Sequence, residues 1–210
     1  MDNTFETILI LIVGWLLGLL SPAIIDAIRR RRENKEVSSA LRTELEELRY
    51  RLACVVFRIE QYHGEPNKKA LEWFHEIVKN YTGLNPSENI LNELESLIVL
   101  TDQQFKTFIS HLRASPEKGL SLKKYPVPLL ESKFALLSGF NTPFQNRLLE
   151  IRTNLNMLHE EVDQARFYHQ LTFNPTEDNY EIVRNNLFNT YREYAFRAKI
   201  LIDHIGQIRW

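Results

Sequence analysis

The first apolar segment of the chain runs from Ile8 to Ile25 without a charged residue. At 1.5 Å per residue a helix of this length spans about 27 Å, close to the hydrocarbon thickness of a bilayer. Its apolar residues together supply roughly −4 to −6 kcal/mol toward insertion. Because Asp2 and Glu6 precede it and basic residues follow it, the pattern differs from a cleaved signal peptide. It predicts a single transmembrane helix, with a helix buried in a soluble domain as the alternative.

A basic run, Arg29, Arg30, Arg31 and Arg32, follows the apolar segment directly. Lys and Arg next to a span favour its cytoplasmic end, so we expect the N-terminus outside the cell membrane and the rest of the chain in the cytoplasm. Near anionic headgroups each arginine contributes roughly 1 kcal/mol. The run is therefore a candidate contact for anionic lipid, the alternative being a topology signal alone. It ends a predicted anchor region over residues 1–32.

Small residues mark one face of the apolar segment. Gly14 and Gly18 have the GxxxG spacing, and Ser21 continues the same face. Small residues at this spacing let two membrane helices approach closely. These three residues are therefore a candidate self-association face, the alternative being incidental spacing.

Residues 33–210 carry the spacing of long packed helices. The first seam lies in a helix over about Glu36 to His63, and two further seams lie near the C-terminus, with apolar residues recurring at steps of three and four. The second helix is predicted to start at Asn141 to Pro143 and the third at Asn174 to Glu177, each with a capping signature. The seam residues are Leu41, Leu45, Leu48, Leu52, Val55, Ile59 and Tyr62; Phe144, Leu148, Ile151, Leu155, Leu158, Val162 and Ala165; and Tyr180, Val183, Leu187, Tyr191, Tyr194, Ala198, Leu201, Ile205 and Ile208.

Shorter helices and one loop separate the long helices. Three short helices are predicted around Leu71 to Tyr81, from Asn85 to Ile98, and after Thr101 or Asp102. Residues 115–128 contain three prolines and predict a surface loop, after which 129–140 shows helical spacing again. The last long helix has a second apolar stripe, which predicts a position between two neighbours. Its residues are Phe188, Phe196, Ile200 and Ile202. The expected fold is all-α, a single transmembrane helix followed by an antiparallel multi-helix bundle with three long helices.

Composition narrows the possible functions. The formal net charge is −1, so the overall field that draws a protein onto nucleic acid is missing and no nucleic-acid partner is expected. Cys54 is the single cysteine of the sequence, which excludes an intramolecular disulfide and a cysteine-rich zinc site. It lies in an apolar run, where burial disfavours the reactive thiolate.

Catalytic signals are weak. Glu72 and His75 form one Glu-x-x-His pair, but di-iron bundles need two, and the sequence has no second. His159, Glu160, Asp163 and His169 lie along the second long helix at a spacing that fits a metal only loosely. His169 is expected to be a hydrogen-bonded core residue. Phosphate-loop, Rossmann, zinc-protease and nucleophile-elbow motifs are absent from the sequence. We therefore expect no enzyme activity and no cofactor.

Three functions fit these features. The first is a membrane-anchored, non-enzymatic interaction, scaffold or sensor protein that recruits a cytosolic partner. The second is an oligomerising membrane effector, of the toxin or anti-phage type, that perturbs the bilayer. The third is an enzyme whose site is assembled from distant residues such as Glu72, His75, His159 and His169. The bilayer and either a protein partner or a second copy are the expected partners.

Overall fold

The computed structural model describes residues 2–63, 68–83, 88–112, 119–132, 137, 139–173, 179–208 and 210. Side chains at 2–5, 16, 19–21, 23, 88 and 109–112 also lie outside the description. All regular structure in the described residues is helical, which confirms the all-α prediction. The helices are α1 (Asp2–His63), α2 (Lys68–Lys79), α3 (Glu88–Ile98), α4 (Asp102–Leu112), α5 (Pro128–Ser132), α6 (Thr142–Leu171) and α7 (Tyr180–Gly206).

Helix α1 joins the apolar segment to the bundle without a break. The segment Ile8–Ile25 and the seam helix from Glu36 are parts of one 62-residue helix. Pro22 lies inside it. The exposed turns between the apolar segment and the seam helix carry two ion pairs, each one turn apart. Arg29 Nε lies 2.9 Å from Glu33, and Arg32 Nε lies 3.0 Å from Glu36. Such pairs each add about 0.3–0.5 kcal/mol to a helix, so the basic run continues the helix.

Among the described residues, no helix has both the length and the apolarity to cross a bilayer. The transmembrane helix predicted over Ile8–Ile25 is therefore not supported. Five side chains within that stretch, at positions 16, 19–21 and 23, lie outside the described residues.

The long helices α1, α6 and α7 form the core of the bundle, and α7 lies between the other two. Helices α6 and α7 are antiparallel, since Arg197 pairs with Glu161 while His204 lies near Glu150. The seam prediction is confirmed at nearly every position. Val55 and Phe144 are half-buried and Tyr180 is exposed. The other seam residues are buried.

The predicted central position of α7 is correct, and two of the four residues of the second apolar stripe pack against the core. Phe196 is 62% exposed and Ile200 is 37% exposed, whereas Ile202 is fully buried. Phe188 is half-buried beside Tyr62, 5.7 Å between ring centroids. Helix α7 contacts both α1 and α6, while part of the stripe faces outward.

Side-chain caps fix several helix starts. Asn141 caps α6 by accepting a hydrogen bond from the Phe144 N–H at 2.9 Å, as predicted. Thr101 caps α4: its hydroxyl accepts from the Gln104 N–H at 3.3 Å, and Gln104 Oε1 accepts from the Thr101 N–H at 3.0 Å. The caps predicted at residues 85–86 and at 174–177 lie outside the described residues.

The loop predicted over 115–128 is confirmed for residues 119–127, which contain no helix or strand. We call residues 119–127 the strap, because they cross the bundle and bond to its side chains. The Tyr191 hydroxyl accepts from the Leu120 N–H at 3.0 Å and donates to the Leu120 carbonyl at 2.8 Å. His159 Nε2 accepts from the Tyr125 N–H at 3.3 Å. These bonds satisfy strap backbone groups that the core would otherwise leave without partners.

Candidate functional site

The first candidate site is the apolar start of α1. Ile8 to Val13 are six consecutive residues, which cover every direction around a helix of 3.6 residues per turn. Each of them is 47–70% exposed, and Trp15 and Leu17 further along are 67% and 60% exposed. A helix that is apolar all round belongs in an apolar surrounding, either a bilayer or the interior of a larger assembly. The described part of the bundle provides no such cover.

The small-residue face of this segment is open where it is described. A Cβ built at Gly14 or at Gly18 meets no heavy atom within 4 Å. The Ser21 side chain lies outside the described residues. Space is available for a second helix to approach the two glycines, and self-association stays a prediction.

The four arginines lie in α1 between the apolar segment and the bundle, and all four are exposed. Arg29 and Arg32 pair with glutamates one turn later, and their side chains are 76% and 82% exposed. Exposed pairs of this kind contribute little and exchange readily with other anions. The exposed arginines are therefore accessible to anionic lipid, and that contact stays a prediction.

The second candidate site is a groove of about 820 Å³ beside α1, which we call the acidic groove. One face of α1 forms its floor, the segment after α2 forms one wall and Leu129 of α5 the other. Its volume falls within the usual range for binding clefts, about 300–1,000 Å³. The lining residues are Ala40, Thr43, Glu44, Glu46, Glu47, Tyr50, Arg51, Tyr81, Thr82, Gly83 and Leu129.

Two of the groove carboxylates hold the walls in place. Glu44 accepts hydrogen bonds from the N–H groups of Leu129 and Leu130, at 2.8 and 2.9 Å, and so caps α5 from a neighbouring helix. Glu47 accepts from the Tyr81 hydroxyl and from Arg51 Nε, the latter at 2.6 Å. Their oxygens serve the fold, so the groove is partly a structural device.

A stacked tyrosine pair forms one end of the groove. Tyr50 and Tyr81 lie with ring centroids 4.2 Å apart and planes 11° apart. Burial, with Cys54 and Glu47 nearby, raises the pKa of Tyr50 to about 12, and burial with the bond to Glu47 raises that of Tyr81 to about 12. Burial alone would raise the pKa of Glu47, but its bonds from Tyr81 and Arg51 outweigh it and the pKa is lowered. Glu47 is therefore charged at neutral pH, and both phenols are neutral.

Glu46 is the carboxylate with most freedom to meet a ligand. Its Oε1 accepts from Arg42 Nε at 2.8 Å, in an exposed pair one turn apart. Its Oε2 lies 3.4 Å from the Thr82 hydroxyl, a long contact. The chemistry available in the groove is therefore recognition of a cation beside an apolar and aromatic surface.

The histidines of the proposed dispersed enzyme site each contact a different part of the fold. His75 lies 3.6 Å from Glu95 of α3, whereas His159 bonds the strap and His169 packs on Phe173 with centroids 5.1 Å apart. His169 is half-buried rather than fully in the core. Among the described residues, no three His, Cys, Asp or Glu side chains are grouped so that they could hold a metal ion.

Cys54 is half-buried against the core, as its apolar neighbours indicated. Burial raises the pKa of its thiol, and the nearby carboxylate of Glu47 acts in the same direction. A raised pKa lowers the thiolate fraction and hence the reactivity of a cysteine.

Sequence reasoning missed the acidic groove. Its floor residues are small or polar and lie between the seam positions of α1, where Ala40 and Thr43 look like ordinary surface residues. Only the positions of α5 and of the segment after α2 turn this face into a groove.

No family model matches the chain, and neither the curated proteins nor the solved structures include a significantly similar one.

Proposed function

We propose that this chain is a membrane-attached, non-enzymatic interaction protein: the apolar start of α1 inserts into a bilayer, and the bundle recruits a protein partner at the cytoplasmic face. The observation that carries the proposal is the exposure of the apolar residues from Ile8 to Val13 on every side of a helix that continues into the bundle core. An aqueous surrounding leaves that surface without cover.

The charges flanking the apolar segment support one orientation of insertion. Asp2 and Glu6 precede it, and the four arginines follow it. With the arginines at the cytoplasmic headgroups, the first buried seam residue of the bundle, Leu41, lies 16 residues beyond Ile25, or about 24 Å along the helix. The continuous helix then holds the bundle near the membrane at a set distance.

The test is membrane association of the full chain. We expect it to float with vesicles and to resist alkaline carbonate washing. Replacing both Ile10 and Leu17 by Asp costs roughly 6–8 kcal/mol on insertion scales, which cancels the roughly −4 to −6 kcal/mol from the apolar residues. This variant should therefore move to the supernatant.

A matched control places two aspartates on exposed apolar residues of the bundle. Val99 and Phe196 are 85% and 62% exposed, so V99D/F196D makes the same chemical change away from the apolar segment. We expect this control to float like the unaltered chain. Release of the unaltered chain by carbonate, or unchanged retention of I10D/L17D, would refute the proposal.

A further inference from the structure

The acidic groove extends toward the apolar segment. A second groove of about 210 Å³, lined by Glu36, Val37, Ala40, Leu41 and Leu129, shares two residues with it. Together the two run along α1 from Glu36 to Arg51, about 22 Å at the helical rise. That length accommodates some four turns of a partner helix. The end near the apolar segment is lined by apolar side chains and by Glu36, which pairs with Arg32, and the other three carboxylates lie further along α1.

By the ideal repeat of an α-helix, the groove floor lies on the same face of α1 as the two glycines. Eighteen residues of an α-helix make five full turns, so positions 18 apart point in the same direction. Gly14 therefore aligns with Arg32 and Tyr50, and Gly18 aligns with Glu36. On this ideal periodicity one strip of α1, about 54 Å long from Gly14 to Tyr50 and passing Pro22, carries both the small-residue face and the groove.

We propose that this strip binds a helix of a second, different membrane protein, whose basic cytoplasmic continuation lies in the groove. This inference rests on the proposed function, because it takes the apolar segment to be in a bilayer. Apolar side chains of the partner would cover Ala40 and Leu129, and a Lys or Arg side chain would meet Glu46. Three carboxylates and the guanidinium of Arg51 line the acidic groove, and Arg42, outside the lining, pairs with Glu46. A net charge of −1 remains, which fits a cationic partner.

A second copy of this chain fits the groove poorly. The face of α1 that would have to enter is itself the floor of the groove, set between Leu129 and the residues after α2. Two copies inserted in one bilayer and related by a two-fold axis along its normal would bring the same residues to the same height, carboxylate near carboxylate. A basic helix from another protein avoids both difficulties, and positive residues on the cytoplasmic side of a span are the general rule.

The probes are two synthetic 16-residue amphipathic helices with the same Leu and Ala face, one carrying Lys and the other Glu on its flanks. Binding to the full chain in lipid nanodiscs is measured by fluorescence anisotropy. We expect the Lys peptide to bind at least tenfold more tightly than the Glu peptide. Ala40→Trp, which fills the groove floor, should abolish that binding, and E46K should reverse the preference.

The matched control is Asn146→Trp, an exposed position on α6 away from the groove, which should leave binding unchanged. Circular dichroism would check that each variant is folded. Equal binding of the two peptides, or binding that Ala40→Trp leaves intact, overturns the inference.

A third probe carries an apolar Leu and Ala span ahead of the Lys helix and is reconstituted into the same nanodiscs. G14I/G18I should weaken its association and leave binding of the soluble Lys peptide unchanged, because only the longer probe reaches the glycines. No effect on the longer probe would refute the continuous strip. Flotation of each variant keeps the two proposals separate: a chain that floats but binds no peptide refutes the groove partner, and a chain that does not float refutes membrane attachment.

Discussion

Two fully buried tyrosines one turn apart on α7 should respond in opposite ways to loss of the hydroxyl group. Tyr191 and Tyr194 are both 0% exposed. The Tyr191 hydroxyl makes two hydrogen bonds to Leu120 of the strap, at 3.0 and 2.8 Å. The Tyr194 hydroxyl has no hydrogen-bond partner among the described residues. Substitution by Phe keeps both rings, so it isolates the hydroxyl.

The magnitudes follow from those partners. Tyr191→Phe removes two bonds worth about 1 kcal/mol each and leaves the backbone N–H and carbonyl of half-buried Leu120 to find water, so it should lower the free energy of unfolding by about 1.5–3 kcal/mol. Tyr194→Phe removes a hydroxyl that is desolvated without compensation, so it should raise that free energy by up to about 1–3 kcal/mol. Burial also raises the pKa of both phenols, to about 12 for Tyr191, so neither is charged at neutral pH.

The assay is urea unfolding of the full chain in detergent micelles, followed by circular dichroism at 222 nm. The midpoints should shift in opposite directions with an unchanged dependence on urea, since the surface exposed on unfolding hardly differs. If Tyr194→Phe destabilises the chain as much as Tyr191→Phe does, the Tyr194 hydroxyl has a partner and the reasoning fails.

Two further predictions concern side chains that hydrogen-bond α5 and the strap to the long helices. Glu44→Ala removes the cap from Leu129 and Leu130 and should cost about 1.5–3 kcal/mol of unfolding free energy in the same urea assay, while Glu36→Ala, an exposed control in a helix pair, should cost less than about 0.5. Burial lowers the pKa of His159, which accepts a hydrogen bond from Tyr125, so the folded state binds a proton less readily than the unfolded state. Stability should therefore be full above about pH 6.5 and fall as the pH drops below it, and His159→Gln should flatten this fall; an equal pH dependence in both proteins would contradict the assignment.

Most of the helical framework could be predicted from the sequence. Apolar residues at steps of three and four define a buried stripe whatever the neighbours are, so the seams of α1, α6 and α7 were largely correct. Local capping chemistry likewise marks a helix start by itself, as Asn141 and Thr101 show. The transmembrane helix also came from the sequence pattern, and the described residues do not support it.

Tertiary structure decided which apolar residues are covered and where a groove forms. The second stripe of α7 predicted two covered faces, yet Phe196 and Ile200 are exposed because no helix packs there in the described structure. The acidic groove depends on Leu129 and Tyr81, which are distant from α1 in sequence. Periodicity reports the preferences of one helix at a time, whereas a groove is a property of the space between elements, set by how short α5 is and where α2 ends.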